Sequence, residues 1–218
     1  MSKKFWIVFI ALVIGVLSFA VYQSKKSSQT SRKIENPLAM QADDHVRGKT
    51  DSKVYLIEYG DYECPACNAW EPEVESLLKD YGDRVAFVFR NFPLTDKHIN
   101  AYAAARAAEA ASLQNKFWEM HDLLYKNWES WKGDNKSAQS KFESYAEELG
   151  LDMAKFKEDY QSSTVADRIN SDLASANQVG ATGTPTFIVS GQLFSVSTLA
   201  EDKQKIRQLL DKKLAENN

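Results

Sequence analysis

Apolar residues along this chain switch between short continuous runs and helical spacing, and the alternation lays out the elements. Lys53 to Tyr59 reads as a buried strand. Pro65 to Asp80 carries helical spacing interrupted at Pro72, where a missing N–H and a fixed ring disfavour continuation. Arg84 to Arg90, a run of Arg-Val-Ala-Phe-Val-Phe-Arg, reads as a second strand. Strand, helix, strand implies a parallel pair joined by a crossover. Helical patterns then dominate from about 98 to 178, through Ala101 to Ala111, Phe117 to Trp131, Ser137 to Leu149, Met153 to Gln161 and Val165 to Gln178. A strand from Thr186 to Val189, a turn at Gly191-Gln192, a short strand from Leu193 to Val196 and a last helix from Thr198 return the chain to the sheet. The predicted class is α/β, a sheet interrupted by an all-helical block.

The first part of the chain follows neither pattern. Phe5 to Tyr22 runs for 18 residues without a charge, long enough at about 1.5 Å per residue to cross most of a bilayer core. Lys3 and Lys4 precede it, and Ser18-Phe19-Ala20 supplies small residues where a signal peptidase would inspect them. Residues 1–22 are therefore an anchor or a secretory signal, and an uncleaved transmembrane helix is the favoured reading. Lys25, Lys26, Arg32 and Lys33 follow the run and outnumber the bases before it. Export is still expected, because two lysines ahead of a long apolar run form an export signal and long domains translocate despite nearby charge. Residues 23–48, rich in Ser, Lys, Gln and Asp, read as a flexible spacer, with Met40 and His45 as spacer residues. The folded domain is expected from 49 to 218.

Of the 27 basic and 30 acidic residues, eight basic and three acidic lie in residues 1–49, which leaves the rest of the chain at a net −8. An acidic domain of this kind is a poor nucleic-acid binder.

The chain's two cysteines both fall in Cys64-Pro65-Ala66-Cys67, at the junction between the first strand and the first helix. Residues three apart share one helix face, so the sulfurs can bond, and a disulfide closing so short a loop stabilises little. The free backbone N–H groups and the helix dipole favour a thiolate at Cys64. Pro65 suits the first helical position, and Gly60-Asp61-Tyr62-Glu63 supplies the loop. An inert disulfide and half of a zinc site are the competing readings, but zinc takes about four ligands and only His45, His98 and His121 are available to help. A redox pair is favoured and no metal site is expected. Glu58, a charged residue inside an apolar strand, is costly unless partnered or neutral, which makes it a candidate proton handler, with an exposed glutamate on an edge strand as the alternative.

Other conspicuous residues have plainer readings. Trp118, Tyr125, Trp128 and Trp131 are spaced for packing within the helical block, and His98 and His121 read as structural. Trp70 and Phe92 flank the active-site elements, either as packing residues or as an apolar surface for unfolded chains.

With these pieces in order, the chain resembles the thioredoxin superfamily and, within it, the DsbA-like thiol-disulfide oxidoreductases, whose thioredoxin fold carries a helical insertion. The resemblance runs from about Lys49 to Leu214. It rests on Cys64-Pro65-Ala66-Cys67 after an Asp-Tyr-Glu loop, on Phe89-Arg90-Asn91-Phe92-Pro93, and on Gly183-Thr184-Pro185-Thr186-Phe187. It implies a cis Pro185 facing the cysteines, and the Thr184 backbone exposed at a strand edge where an extended substrate segment docks. It also implies that Glu58 acts as a buried acid helping to deprotonate Cys67. Ala66 replaces the histidine of the best-known DsbA, so that histidine's contribution to a low thiol pKa is absent here.

The activity implied is dithiol oxidation. A substrate thiolate attacks Cys64, Cys67 leaves, and a second substrate thiol completes release of the new disulfide. No cofactor beyond the Cys64–Cys67 pair is expected. The implied partners are reduced exported proteins and a membrane-embedded protein that passes electrons to a quinone. A reductase or isomerase in the same compartment and a tethered chaperone that does not use its cysteines are the alternatives.

Overall fold

A computed structural model describes residues 34–134, 136–196 and 199–217. Its strands are β1 (His45–Gly48), β2 (Tyr55–Gly60), β3 (Ala86–Asn91), β4 (Thr186–Val189) and β5 (Gln192–Ser195). Its helices are α1 (Pro65–Tyr81), α2 (Ala101–Ser112), α3 (Phe117–Lys126), α4 (Ala138–Glu148), α5 (Met153–Gln161), α6 (Ser163–Gln178) and α7 (Leu199–Asn217). The strands form one mixed sheet in the order β1-β3-β2-β4-β5. As predicted, β2 and β3 run parallel, with Tyr55 opposite Ala86 and Gly60 opposite Asn91, and the other pairings are antiparallel.

Strand alternation sorts the core onto two faces. Leu56, Phe87, Phe89, Phe187 and Val189 join the cluster that includes Cys64, Cys67 and Trp70 of α1, Ile206 and Leu210 of α7, and the buried residues of the helical block. Ile57, Tyr59, Val88 and Ile188 face the other way, against Phe92 and Ala176. Glu58, between Ile57 and Tyr59, therefore shares its face with Leu56 and looks toward the cysteines.

Three expectations about local structure are corrected. Helix α1 is continuous through Pro72. A mid-helix proline costs about 3 kcal/mol, but α1 buries Cys67, Trp70, Val74, Leu77 and Tyr81 on the sheet, and each large side chain contributes about 1.5–3 kcal/mol. The helix expected from Phe117 to Trp131 stops at Lys126, and a separate 3-10 turn covers Trp128–Ser130. Trp131 is fully buried, and its indole N–H donates to the Leu124 carbonyl at 2.9 Å; that anchor overrides the helical period.

The third correction concerns the spacer. Its described part is folded: His45–Gly48 is a strand against β3, Ile34 is buried, and Leu38 and Met40 pack on the second face of the sheet. Arg90 explains why so irregular a segment is held. Its guanidinium donates to the carbonyls of Pro37 (2.8 Å) and Ala39 (2.7 Å), to Tyr59 Oη (2.8 Å) and to both oxygens of Asp44 (3.1 and 2.8 Å). Burial pushes the Asp44 carboxyl up, but Arg90 outweighs it and holds the group below the usual carboxylate range. His45, far from idle, contacts Glu109 of α2 at 3.0 Å and stacks on Phe117. The predicted anchor at Phe5 to Tyr22 lies outside the described residues. Among the described residues, no helix is long and apolar enough to cross a membrane.

Candidate active site

The site forms where β2 ends and α1 begins. Cys64 is the N-cap residue of α1, with extended φ and ψ of −69° and 123°, and Pro65 takes the first helical position. The Cys64 carbonyl accepts from the Asn68 N–H at 3.0 Å, while its own N–H donates to the Asp61 carbonyl at 3.1 Å. Its sulfur thus sits at the open end of the helix, where unpaired N–H groups and the dipole favour negative charge. The thiol pKa falls from 9.0 to about 5, first because the Cys67 thiol donates to it. Burial opposes this, and Thr184 and the backbone N–H groups of Cys67 and Ala66 add to the lowering.

Cys67 has the opposite environment. It is 1% exposed, and burial, the hydrogen bond to Cys64 and the negative charge of Glu58 all push its pKa well up. Glu58 is itself buried, and its pKa is raised well above the ordinary value, first by burial and then by Glu71 and Cys64, with a hydrogen bond to Cys67 acting the other way. The raised value favours the neutral carboxyl, which lies next to the buried sulfur.

Opposite Cys64, the Thr184-Pro185 peptide is cis. Cys64 Sγ lies 3.4 Å from the Thr184 carbonyl oxygen, a contact to which Cys64 donates only when its thiol is protonated. Thr184 lies ahead of β4, which pairs on both sides with β2 and β5, so it occupies the loop leading into an inner strand rather than a sheet edge. A groove of about 370 Å³ opens beside it, lined by Ala66, Trp70, Thr182, Pro185, Val196 and Leu199 among others. Trp70 is packed on Phe187, with ring centroids 4.9 Å apart, and Phe92 is buried on the far face of the sheet. Phe92 is therefore remote from the groove, and Trp70, 3% exposed, contributes only to its wall.

The structure brings Cys64, Pro65, Ala66, Cys67, Glu58, Thr184 and Pro185 together. It also gives the Asp-Tyr-Glu loop a function that residue-by-residue reading missed. Asp61 accepts from the N–H groups of Glu63 (2.8 Å) and Leu94 (2.9 Å) and pairs with His98 at 2.7 Å. Glu63 accepts from the backbone N–H groups of Asn100 and Gly133, and Tyr62 Oη meets His121 Nδ1 at 3.1 Å. The loop that aims Cys64 is thereby tied to the helical block. The signal available in the sequence was three successive polar or amphipathic residues between a strand and a helix; the structure buries all three.

A thioredoxin-type sheet that places a low-pKa cysteine and a more deeply buried one opposite a cis-proline loop is the arrangement of a thiol-disulfide oxidoreductase. A family model described as Thioredoxin matches residues 40–212. A thioredoxin-like oxidoreductase from Silicibacter pomeroyi superposes with a TM-score of 0.68 at 26% identity, covering 83% of this chain and 97% of the other. The thiol-disulfide exchange protein alpha-DsbA2 from Wolbachia pipientis gives 0.68 at 21% identity, covering 89% and 96%. Oxidised BdbD from Bacillus subtilis gives 0.65 at 23% identity, covering 79% and 93%. A curated protein named Na(+)/H(+) antiporter NhaA 1, from Salinispora arenicola, is 44% identical over 149 residues, 68% of this chain but 22% of the antiporter. The chain thus spans less than a quarter of that relative's length. The chain belongs to the thioredoxin family, and it is an oxidoreductase with the fold of DsbA-like proteins.

Proposed function

We propose that this chain is a membrane-tethered thiol-disulfide oxidase that acts outside the cytoplasm and introduces disulfides into exported proteins through Cys64 and Cys67. The observation that carries the reading is the asymmetry of the two sulfurs, with Cys64 ionising at about 5 and Cys67 held protonated. A thiolate stabilised at Cys64 stabilises the reduced chain and so makes its disulfide oxidising.

A substrate thiolate attacks Cys64 Sγ of the oxidised chain, a mixed disulfide forms, and the Cys64–Cys67 bond breaks. Cys67 leaves as thiolate and takes a proton from the neutral Glu58 carboxyl beside it, which recovers one from solvent. A second substrate thiolate then attacks the substrate-side sulfur, forming the product disulfide and releasing Cys64 as thiolate. Two electrons pass from the substrate sulfurs to the chain; of the two thiol protons, one ends on Cys67 and one in solvent. Thr184 and the groove beside Pro185 would hold the extended substrate segment during both attacks.

Turnover requires return of the electrons, which we assign to a quinone-linked membrane partner. The tether is Phe5 to Tyr22, and the occurrence of related sequence within proteins named as antiporters supports a place at a membrane.

The test mixes the oxidised chain in equal amounts with a reduced two-thiol peptide. The expected products are disulfide-bonded peptide and reduced chain, with no product from a Cys64→Ser variant. A chain that leaves the peptide reduced, and in its own reduced form cleaves insulin disulfides, would be a reductase. Refolding assistance that persists in a Cys64→Ser, Cys67→Ser variant would point to a chaperone.

A further inference from the structure

Glu71 of α1 and His121 and Asp122 of α3 converge on one spot behind the active-site helix, and the redox chemistry above uses none of them. One ligand-capable atom from each lies within 4.8 Å of the other two. His121 is 1% exposed, and its imidazole is walled by the rings of Tyr62, Phe89, Trp118 and Tyr125. Its Nδ1 is fixed by Tyr62 Oη at 3.1 Å. Its Nε2 is buried without a hydrogen-bond partner and faces Glu71 Oε2 at 3.5 Å.

That separation is long for a hydrogen bond but suits two donor atoms sharing a metal, since zinc binds imidazole nitrogen and carboxylate oxygen at about 2.0–2.2 Å each. If Nδ1–H donates to Tyr62, the Nε2 lone pair points into the cluster, the arrangement expected of a metal-bound histidine. One cationic group already faces the cluster from β1: Arg47 Nη2 lies 2.9 Å from both Asp122 oxygens.

We propose that Glu71, His121 and Asp122 form a site for one divalent first-row cation of the zinc type. One nitrogen and two carboxylate oxygens favour zinc over calcium, which takes six to eight oxygen ligands. Three protein ligands leave a fourth position for water. The sequence shows no metal-binding spacing because one helix supplies Glu71 and another supplies the adjacent pair. The proposal does not depend on the direction of disulfide exchange.

The test titrates Zn²⁺ into the full chain with Cys64 and Cys67 joined as a disulfide, so that neither thiol can bind metal. One zinc per chain is expected, weakened at least about tenfold by His121→Gln and by Asp122→Asn. His98→Gln should leave the affinity unchanged. Arg47→Gln should tighten it by freeing the Asp122 carboxylate, a gain that a purely structural cluster would not show. Should His121→Gln fail to fold, Asp122→Asn decides alone, since that side chain is exposed. No binding at submillimolar zinc, or an affinity indifferent to Asp122→Asn, overturns the site.

Discussion

Cys64 ionises at about 5 in the folded reduced chain, against an ordinary 9.0. Between those values the unfolded chain binds more protons than the folded one, so the stability of the reduced form rises with pH. The contribution is fully present above about 9 and is lost as pH falls through about 5. The oxidised form has no thiols to titrate. Paired thermal melts should therefore show the reduced chain gaining on the oxidised chain from pH 5 to pH 8, and a pH-independent difference would contradict the assigned thiolate. Glu58 works in the other direction. Its raised pKa leaves its stability contribution intact below the ordinary 4.5 and erodes it as pH climbs toward the folded value. Glu58→Leu is expected to stabilise both redox forms by about 1–3 kcal/mol at pH 8, the scale of desolvating one buried polar group, and by less at pH 4. The same change should slow disulfide exchange and flatten its pH profile. A variant with unaltered melts and rates would remove Glu58 from the proton chemistry.

At the scale of elements, the segment before β1 depends on one residue of β3. Arg90 is fully buried with Asp44 as its ion partner and three further acceptors. Removing one member of such a pair strands the other in a dry interior. Arg90→Leu should cost about 3–5 kcal/mol in a chemical denaturation measurement, and a cost below 1 kcal/mol would show that residues 34–44 are held by something else. This is also where sequence reading was weakest. Met153–Gln161 and Thr186–Val189 were legible to the residue because period, caps and turn residues agree there. Residues 34–48 were not, because what orders them is the Arg90 guanidinium, a contact between distant parts of the chain with no local period. Pro72 and the end of α3 were misread for the related reason that tertiary burial outweighed a local propensity. The cysteine pair stood out from its position alone, and Thr184 and Pro185 only through family resemblance. The bracing of the Cys64 loop by Asp61, Tyr62 and Glu63 required the fold.

In the whole molecule, the sheet supplies a buried acid on the face under α1, and the helical block fixes the loop that aims α1. The β4 loop closes the front of the site. Together they favour the thiolate at Cys64, at the open end of the helix, and the neutral thiol at the more deeply buried Cys67. Because the pair at the centre is Pro65-Ala66, with no histidine to assist, the poise rests on the helix terminus, the Cys67 thiol and Thr184. The equilibrium reduction potential of Cys64–Cys67, titrated against a glutathione buffer at pH 7, measures that poise directly. A value near or above about −180 mV is the predicted result for an oxidase, and one near about −270 mV, the thioredoxin range, would contradict it.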